Sequence, residues 1–123
     1  MNSEVIEQVG KAMAETRWPD VLVHVSQDVV VHVPAVGELR GVDEVAGFLL
    51  DTAAKTDDGE HFELLDTLVG ERFAALYFRI WADRAGRTSL DNLTLHLARF
   101  EGDLIAEIWF HNFDGAAVAQ FWA

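Results

Sequence analysis

Two consecutive runs of strict alternation, within Ser89 to Asp114 (SLDNLTLHLARFEGDLIAEIWFHNFD), constrain this chain more than any other feature. Side chains of a strand point to opposite faces with period two, so each run offers one face to a core and the other elsewhere. In the first run Leu93, Leu95 and Leu97 share one parity, and Asn92, Thr94, His96 and Ala98 the other. In the second, Ala106, Ile108 and Phe110 alternate with Ile105, Glu107, Trp109 and His111. Glu101-Gly102-Asp103 reads as a tight turn and makes the pair an antiparallel hairpin. A two-residue turn at Glu101-Gly102 sets His96 across from Glu107, Thr94 from Trp109 and Asn92 from His111. One apolar face suffices to join a core, so the imidazoles, carboxylate and indole on the other need water or a pocket. We read the pocket.

The preceding chain supplies helices and two further strands. Ser3 can cap a helix that carries Val5, Val9, Ala12 and Met13 on one face. Trp18-Pro19-Asp20 opens a second, since proline is tolerated in a first helical turn. Val29 to Val33 is a short strand ended by Pro34. Asp43 caps the clearest helix, with Val45, Phe48, Leu49, Thr52 and Ala53 at helical spacing, and Asp57-Asp58-Gly59 ends it. His61 to Val69 and Arg72 to Ala82 then read as long strands, the second with Tyr77, Arg79 and Trp81 on one parity and Phe78 and Ile80 on the other. The tail places Val118, Phe121 and Trp122 near one helical face. Helices followed by an antiparallel meander predict an α+β domain over residues 1–123: N-terminal helices packed on a strongly curved, mostly antiparallel sheet that forms a conical barrel with an internal pocket.

Composition removes whole classes of function. With 9 basic against 21 acidic residues the formal charge is −12, which repels phosphate backbones and anionic membranes. Nucleic acid is not an expected partner, and neither is a membrane. The absence of cysteine excludes disulfides, thiolate metal sites and thiol nucleophiles. No stretch approaches a membrane span, and the opening MNSEVIEQVGKAM lacks a basic n-region, so the expected location is cytoplasmic. Phosphate loops, dinucleotide fingerprints and nucleophile elbows are absent. The inward histidines lack His-x-His or His-x-x-x-His spacing, so a zinc or iron shell of three histidines and a glutamate ranks below the metal-free readings, and no cofactor is expected.

The segments VVVHVPAVGELRGVDEVAGFL, FRIWADRAGR, LDNLTLHLARFEGDLIAEIWFHNFD and the final FWA resemble the SnoaL-like branch of the nuclear-transport-factor-two-like superfamily. The resemblance covers nearly the whole chain. It implies a conical α+β barrel with a deep pocket, usually homodimeric, in a superfamily of ketosteroid isomerases, limonene-type epoxide hydrolases, polyketide cyclases and inactive binding modules. Where the epoxide hydrolases have Arg-x-Asp, this chain has Arg79-Ile80-Trp81, without the carboxylate. Their second aspartate corresponds to His111, their asparagine before Val-Pro to His32, and their tyrosine two residues earlier to Val30. Epoxide hydrolysis is therefore not expected. The cyclases match better, because they use a histidine where His96 stands and an aspartate on the last strand, where this chain offers Glu107 or His111.

These observations predict a pocket for a small apolar or aromatic ligand in a likewise homodimeric protein. His96, His111, Arg79 and Glu107 are the catalytic candidates; His32, Tyr77, Trp81, Asn92 and Trp109 are the ligand-binding candidates. The expected chemistry is a cofactor-free isomerase or cyclase reaction, in which a histidine removes a proton beside a carbonyl and Arg79 or Asn92 steadies the enolate. The alternative is a binding module without chemistry. Each histidine taken alone reads more simply as an interior hydrogen-bonded residue, and Arg79 as the counter-ion of Glu107. His24, His61 and the acidic run Asp57 to Glu60 read as solvated surface.

Overall fold

The computed structural model describes residues 2–123. Its elements are α1 (Asn2–Ala14), α2 (Trp18–Leu22), β1 (Val25–Val33), β2 (Gly37–Arg40), α3 (Val42–Lys55), β3 (His61–Val69), β4 (Phe73–Ala82), β5 (Leu90–Glu101), β6 (Leu104–Asn112) and α4 (Gly115–Trp122). All six strands join one sheet in the order β2-β1-β6-β5-β4-β3, mostly antiparallel, with β1 and β6 parallel. The expected α+β layout holds. The sheet does not close into a barrel, because β2 and β3 remain as its two edges.

The helices cover one face of this sheet. Ile6, Val9, Ala12 and Met13 of α1 are buried against Leu76, Phe78 and Ile80 of β4 and Ala98 and Phe100 of β5. Gly10 lets α1 approach closely: a Cβ there would lie 2.9 Å from Leu76 Cδ2 and 3.0 Å from Leu64 Cδ2. The run after Trp18 divides between a single turn of helix and a longer β1 that starts at Val25, since Val25, Val29 and Val31 are needed in the core. Gly41, at φ +85°, rather than Asp43 precedes α3, and the Glu44 carboxylate turns back to accept from the Arg40 backbone N–H at 2.8 Å.

Strand register decides which residues reach the covered face. The β5–β6 turn is Gly102-Asp103, with Glu101 opposite Leu104, and one residue further along β6 bulges at Ala106. Phe100 therefore pairs with Ile105, while Arg99 pairs with Glu107 and His96 with Phe110. An extra residue reverses parity beyond it. Ile108, Phe110 and Asn112 accordingly share the inner face with His96 and Thr94, and Glu107, Trp109 and His111 share the outer face with Leu95, Leu97 and Arg99. On β4 the pairing to β5 is regular: Phe78 meets Thr94 and Ile80 meets Asn92 inside, so Tyr77 and Arg79 stand outside with Leu95 and Leu93.

No described helix is long and apolar enough to cross a membrane. Overpacking a tight interior contact typically costs 1–3 kcal/mol, so Gly10→Val is expected to destabilise the fold by about 2 kcal/mol. Urea unfolding should show a lower midpoint at unchanged slope. An unshifted midpoint would contradict the close seating of α1 on β3 and β4.

Candidate functional site

Between the inner face of the sheet and the helices lies a cavity of about 520 Å3. Phe48 and Leu49 of α3, Phe62 of β3, Ile80 of β4, Phe110 of β6 and Trp122 of α4 give it apolar walls. Helix α4 is held over it at both ends. The Asp114 carboxylate accepts from the Ala117 N–H at 3.1 Å, and Arg84 Nη1 donates to the Phe121 carbonyl at 2.7 Å. Such a mostly apolar chamber with a few convergent polar groups is the usual form of a small-molecule site.

His96 is one of those groups. Its ring stacks on Phe110 at 4.0 Å, and it is 5% exposed. Nδ1 is the one buried side-chain nitrogen or oxygen among the described residues without a hydrogen-bond partner. A bare acceptor is tolerated in an interior more readily than an orphaned N–H, which assigns the proton to Nε2. Burial depresses the imidazole from its ordinary value to about 3, so it is neutral at physiological pH. Beside it, Asn92 donates to Asn112 Oδ1 at 3.2 Å and accepts the Asp114 N–H at 3.1 Å, which fixes both amides. The chamber thus has a polar end of uncharged donors and acceptors.

Glu60 lines the same chamber from the loop before β3. Burial pushes its carboxyl up from 4.5 to about 7, opposed only by a hydrogen bond from Thr52. The acidic run Asp57 to Glu60 reads as a solvated loop in the sequence; Asp57 and Asp58 are exposed, but Glu60 is not. The available signal was local: Glu60 is the last residue of the acidic run before the alternating pattern of β3, two residues before Phe62, which enters the core wall.

The predicted residues divide by face. Asn92 and His96 line the chamber. His32, Tyr77, Arg79, Glu107, Trp109 and His111 do not: they lie on the opposite face, and Trp81 opens onto a separate cavity at the β3 edge. The parity shift at Ala106 moved the β6 residues, and regular pairing to the leucine face of β5 moved those of β4. His32, one strand beyond β6, is carried outward beside Trp109. Arg79 is not the counter-ion of Glu107. It forks onto Asp91 at 2.9 and 2.8 Å, whereas Glu107 pairs with His32 at 2.6 Å and Arg99 at 3.3 Å, and these partners hold its carboxyl below the usual range. His32 also stacks on Trp109 at 5.3 Å. No group of three or more His, Asp or Glu side chains among the described residues is arranged to hold a metal ion.

A family model described as a SnoaL-like domain matches residues 6–108. No curated protein matches the sequence. Among solved structures, Bal32a from a soil-derived mobile gene cassette is similar at TM-score 0.89 and 17% identity, covering 99% of this chain and 96% of that one. TerC co-crystallised with polyporic acid is similar at TM-score 0.81 and 12% identity, over 99% and 98% of the two chains. A protein with a ketosteroid isomerase-like fold from Catenulispora acidiphila, in complex with trimethylamine, follows at 0.78 and 15%, over 99% and 95%.

The two displaced titrations predict opposite pH dependences. Glu60 binds its proton more tightly folded than unfolded, so its contribution to stability is complete below about 4.5 and is lost as pH rises through about 7. His96 does the reverse: its contribution is present above 6.5 and is lost as pH falls through about 3. The stability of the wild type relative to Glu60→Gln should therefore fall by roughly 3 kcal/mol between the two Glu60 values, at 1.36 kcal/mol per unit. Denaturant melts of both proteins across that window test this, and parallel curves would contradict the burial of the carboxyl.

Proposed function

This chain belongs to the SnoaL-like domain family, and we infer that its inner chamber binds a flat, largely apolar molecule bearing a carbonyl and moves a proton on the adjacent carbon without a cofactor. The observation that carries this reading is that Glu60 and His96 line one largely apolar chamber, whose burial raises the carboxyl and lowers the imidazole. Groups pushed apart in this way mark acid–base assignments. Here they reverse the expected roles. An imidazole with a pKa near 3 is a poor base at neutrality, but its Nε2–H is a fixed donor. A carboxyl near 7 is half ionised there and matched in strength to the task.

In the proposed step, the Glu60 carboxylate takes the proton from carbon, and the C–H electron pair moves into the carbonyl to give an enolate. His96 Nε2–H and the Asn112 amide donate to the enolate oxygen in a site from which apolar walls exclude water. Return of the proton to a different carbon gives an isomer; attack of the enolate carbon on a second carbonyl closes a ring. TerC, of similar fold, was co-crystallised with polyporic acid, which supports a small organic molecule as the kind of ligand.

The outer sheet face supports pairing of two copies. Phe73 is 38%, Leu93 36% and Phe113 57% exposed, and with Leu95, Leu97 and Trp109 they form an apolar strip along β4, β5 and β6. A patch of this type suits an isologous two-fold contact. Sedimentation at micromolar concentration should give a dimer for the wild type and a monomer for Leu95→Glu; a wild-type monomer would contradict it.

The chemistry is tested by exchange of α-protons of a flat cyclic ketone, 2-tetralone, into D2O. Loss of a general base typically costs 10²–10⁴-fold, so Glu60→Gln should slow exchange by about a hundredfold or more, while His111→Ala stays within about twofold of wild type. A ketone that binds but exchanges no faster than in buffer replaces the enzyme with a binding module.

A further inference from the structure

Glu60 faces two cavities. Besides the inner chamber it lines a second, of about 550 Å3, at the β3 edge of the sheet, where Thr16, Ala53, Asp58, His61 and Trp81 are found. Trp18, Leu49, Thr52, Glu60 and Phe62 belong to both and form the partition between them. The two spaces differ in chemistry. The inner one is walled by aromatic and aliphatic side chains under α4, whereas Thr16, Ala53 and Asp58 of the outer one are exposed to solvent. Among the described residues no charged group shifts the Glu60 carboxyl, whose environment is set by burial and the Thr52 hydroxyl.

A base enclosed with its ligand must still exchange its proton. Once a ligand fills the inner chamber, the route past Phe48, Phe110 and Trp122 is apolar, and the outer cavity is the polar side of the partition. The charged or titratable groups facing Glu60's surroundings are Asp58 and His61 on that side, and Asp51, Lys55 and His96 on the inner side. Among them His61 is adjacent to Glu60 in the chain and both accepts and donates protons. Its ring is positioned: it stacks on Trp81 at 5.3 Å and 21°, lies 3.8 Å from Asp58, and Arg79 covers the Trp81 ring at 4.5 Å. Arg79 is in turn held by its fork onto Asp91.

We propose that the outer cavity is a proton port: water in it connects Glu60 to bulk solvent while the ligand stays in the inner chamber, with His61 as the relay and Trp81 and Arg79 as its positioning residues. The proton that Glu60 takes from carbon passes to port water or to the His61 imidazole and then to solvent, and a solvent proton returns by the same path, so the step needs no further reactant. This rests on Glu60 being the base.

Ala53 is exposed and lines only the port, so Ala53→Trp plugs it from outside the core. Two readouts are compared in wild type, Ala53→Trp, His61→Gln and Glu60→Gln: the Glu60 carboxyl titration by 13C NMR without ligand, and 2-tetralone exchange into D2O with its Kd from tryptophan fluorescence. The plug should raise the Glu60 midpoint by about one unit as water leaves the carboxyl, and slow exchange about tenfold at unchanged Kd. His61→Gln should slow exchange at unchanged Kd, and added imidazole should restore it, which a purely structural role would not allow. If Glu60→Gln abolishes exchange while Ala53→Trp and His61→Gln match the wild type in both readouts, the port is wrong and the base assignment stands. If Glu60→Gln exchanges at the wild-type rate, the base assignment fails and the port with it.

Discussion

One unpaired residue, Ala106, determines what this fold can do chemically. Without the bulge, Glu107, Trp109 and His111 would stand beside His96 on the inner face, and the chamber would be lined by charge. With it, Phe110 stacks on His96 and the carboxylate is expelled to the outer face, where His32 and Arg99 meet it. A bulge costs a local break in the ladder and re-aims every residue beyond it, which is why bulges cluster beside functional sites.

The consequence is an electrostatic design based on desolvation rather than on ion pairs. Placed beside Glu107, His96 would gain a counter-ion and become easier to protonate; placed against Phe110 and Phe78, it loses solvent and remains neutral. Glu60 follows the same logic with opposite sign. The charged residues the sequence displays so prominently, Arg79, Glu107 and His32, are satisfied by one another's neighbours on the outside, at Asp91, Arg99 and Trp109.

What was legible in the sequence followed from local periodicity. The long strands β3 to β6, the helices α1 and α3, the α+β class and the inward set Asn92, Thr94 and His96 on β5 came from periodicity within single elements, whereas the edge strand β2 and the start of β1 at Val25 did not. What was illegible depended on pairing between strands. Nothing in IAEIWFHN announces that Ala106 is skipped, and the β4–β5 loop is too long for a turn type to fix the register that sends Arg79 outward. The parallel insertion of β1 beside β6 joins distant segments of the chain, and it alone decides that His32 meets Glu107. Glu60 was missed for a different reason: two exposed acidic neighbours, Asp57 and Asp58, make a solvated loop the natural expectation, and only the tertiary wall of Thr52, Phe62 and Trp18 buries it.

In the proposed step His96 serves the chamber as a neutral donor rather than as a base. The most direct measurement is the 15N NMR spectrum of selectively labelled histidine, assigned through His96→Asn, followed from pH 8 down to the lowest pH at which the fold persists. His96 is expected as a single neutral tautomer with the proton on Nε2 and without protonation above about pH 4, given its depressed value near 3. Protonation of His96 near 6.5, or a proton found on Nδ1, would contradict it.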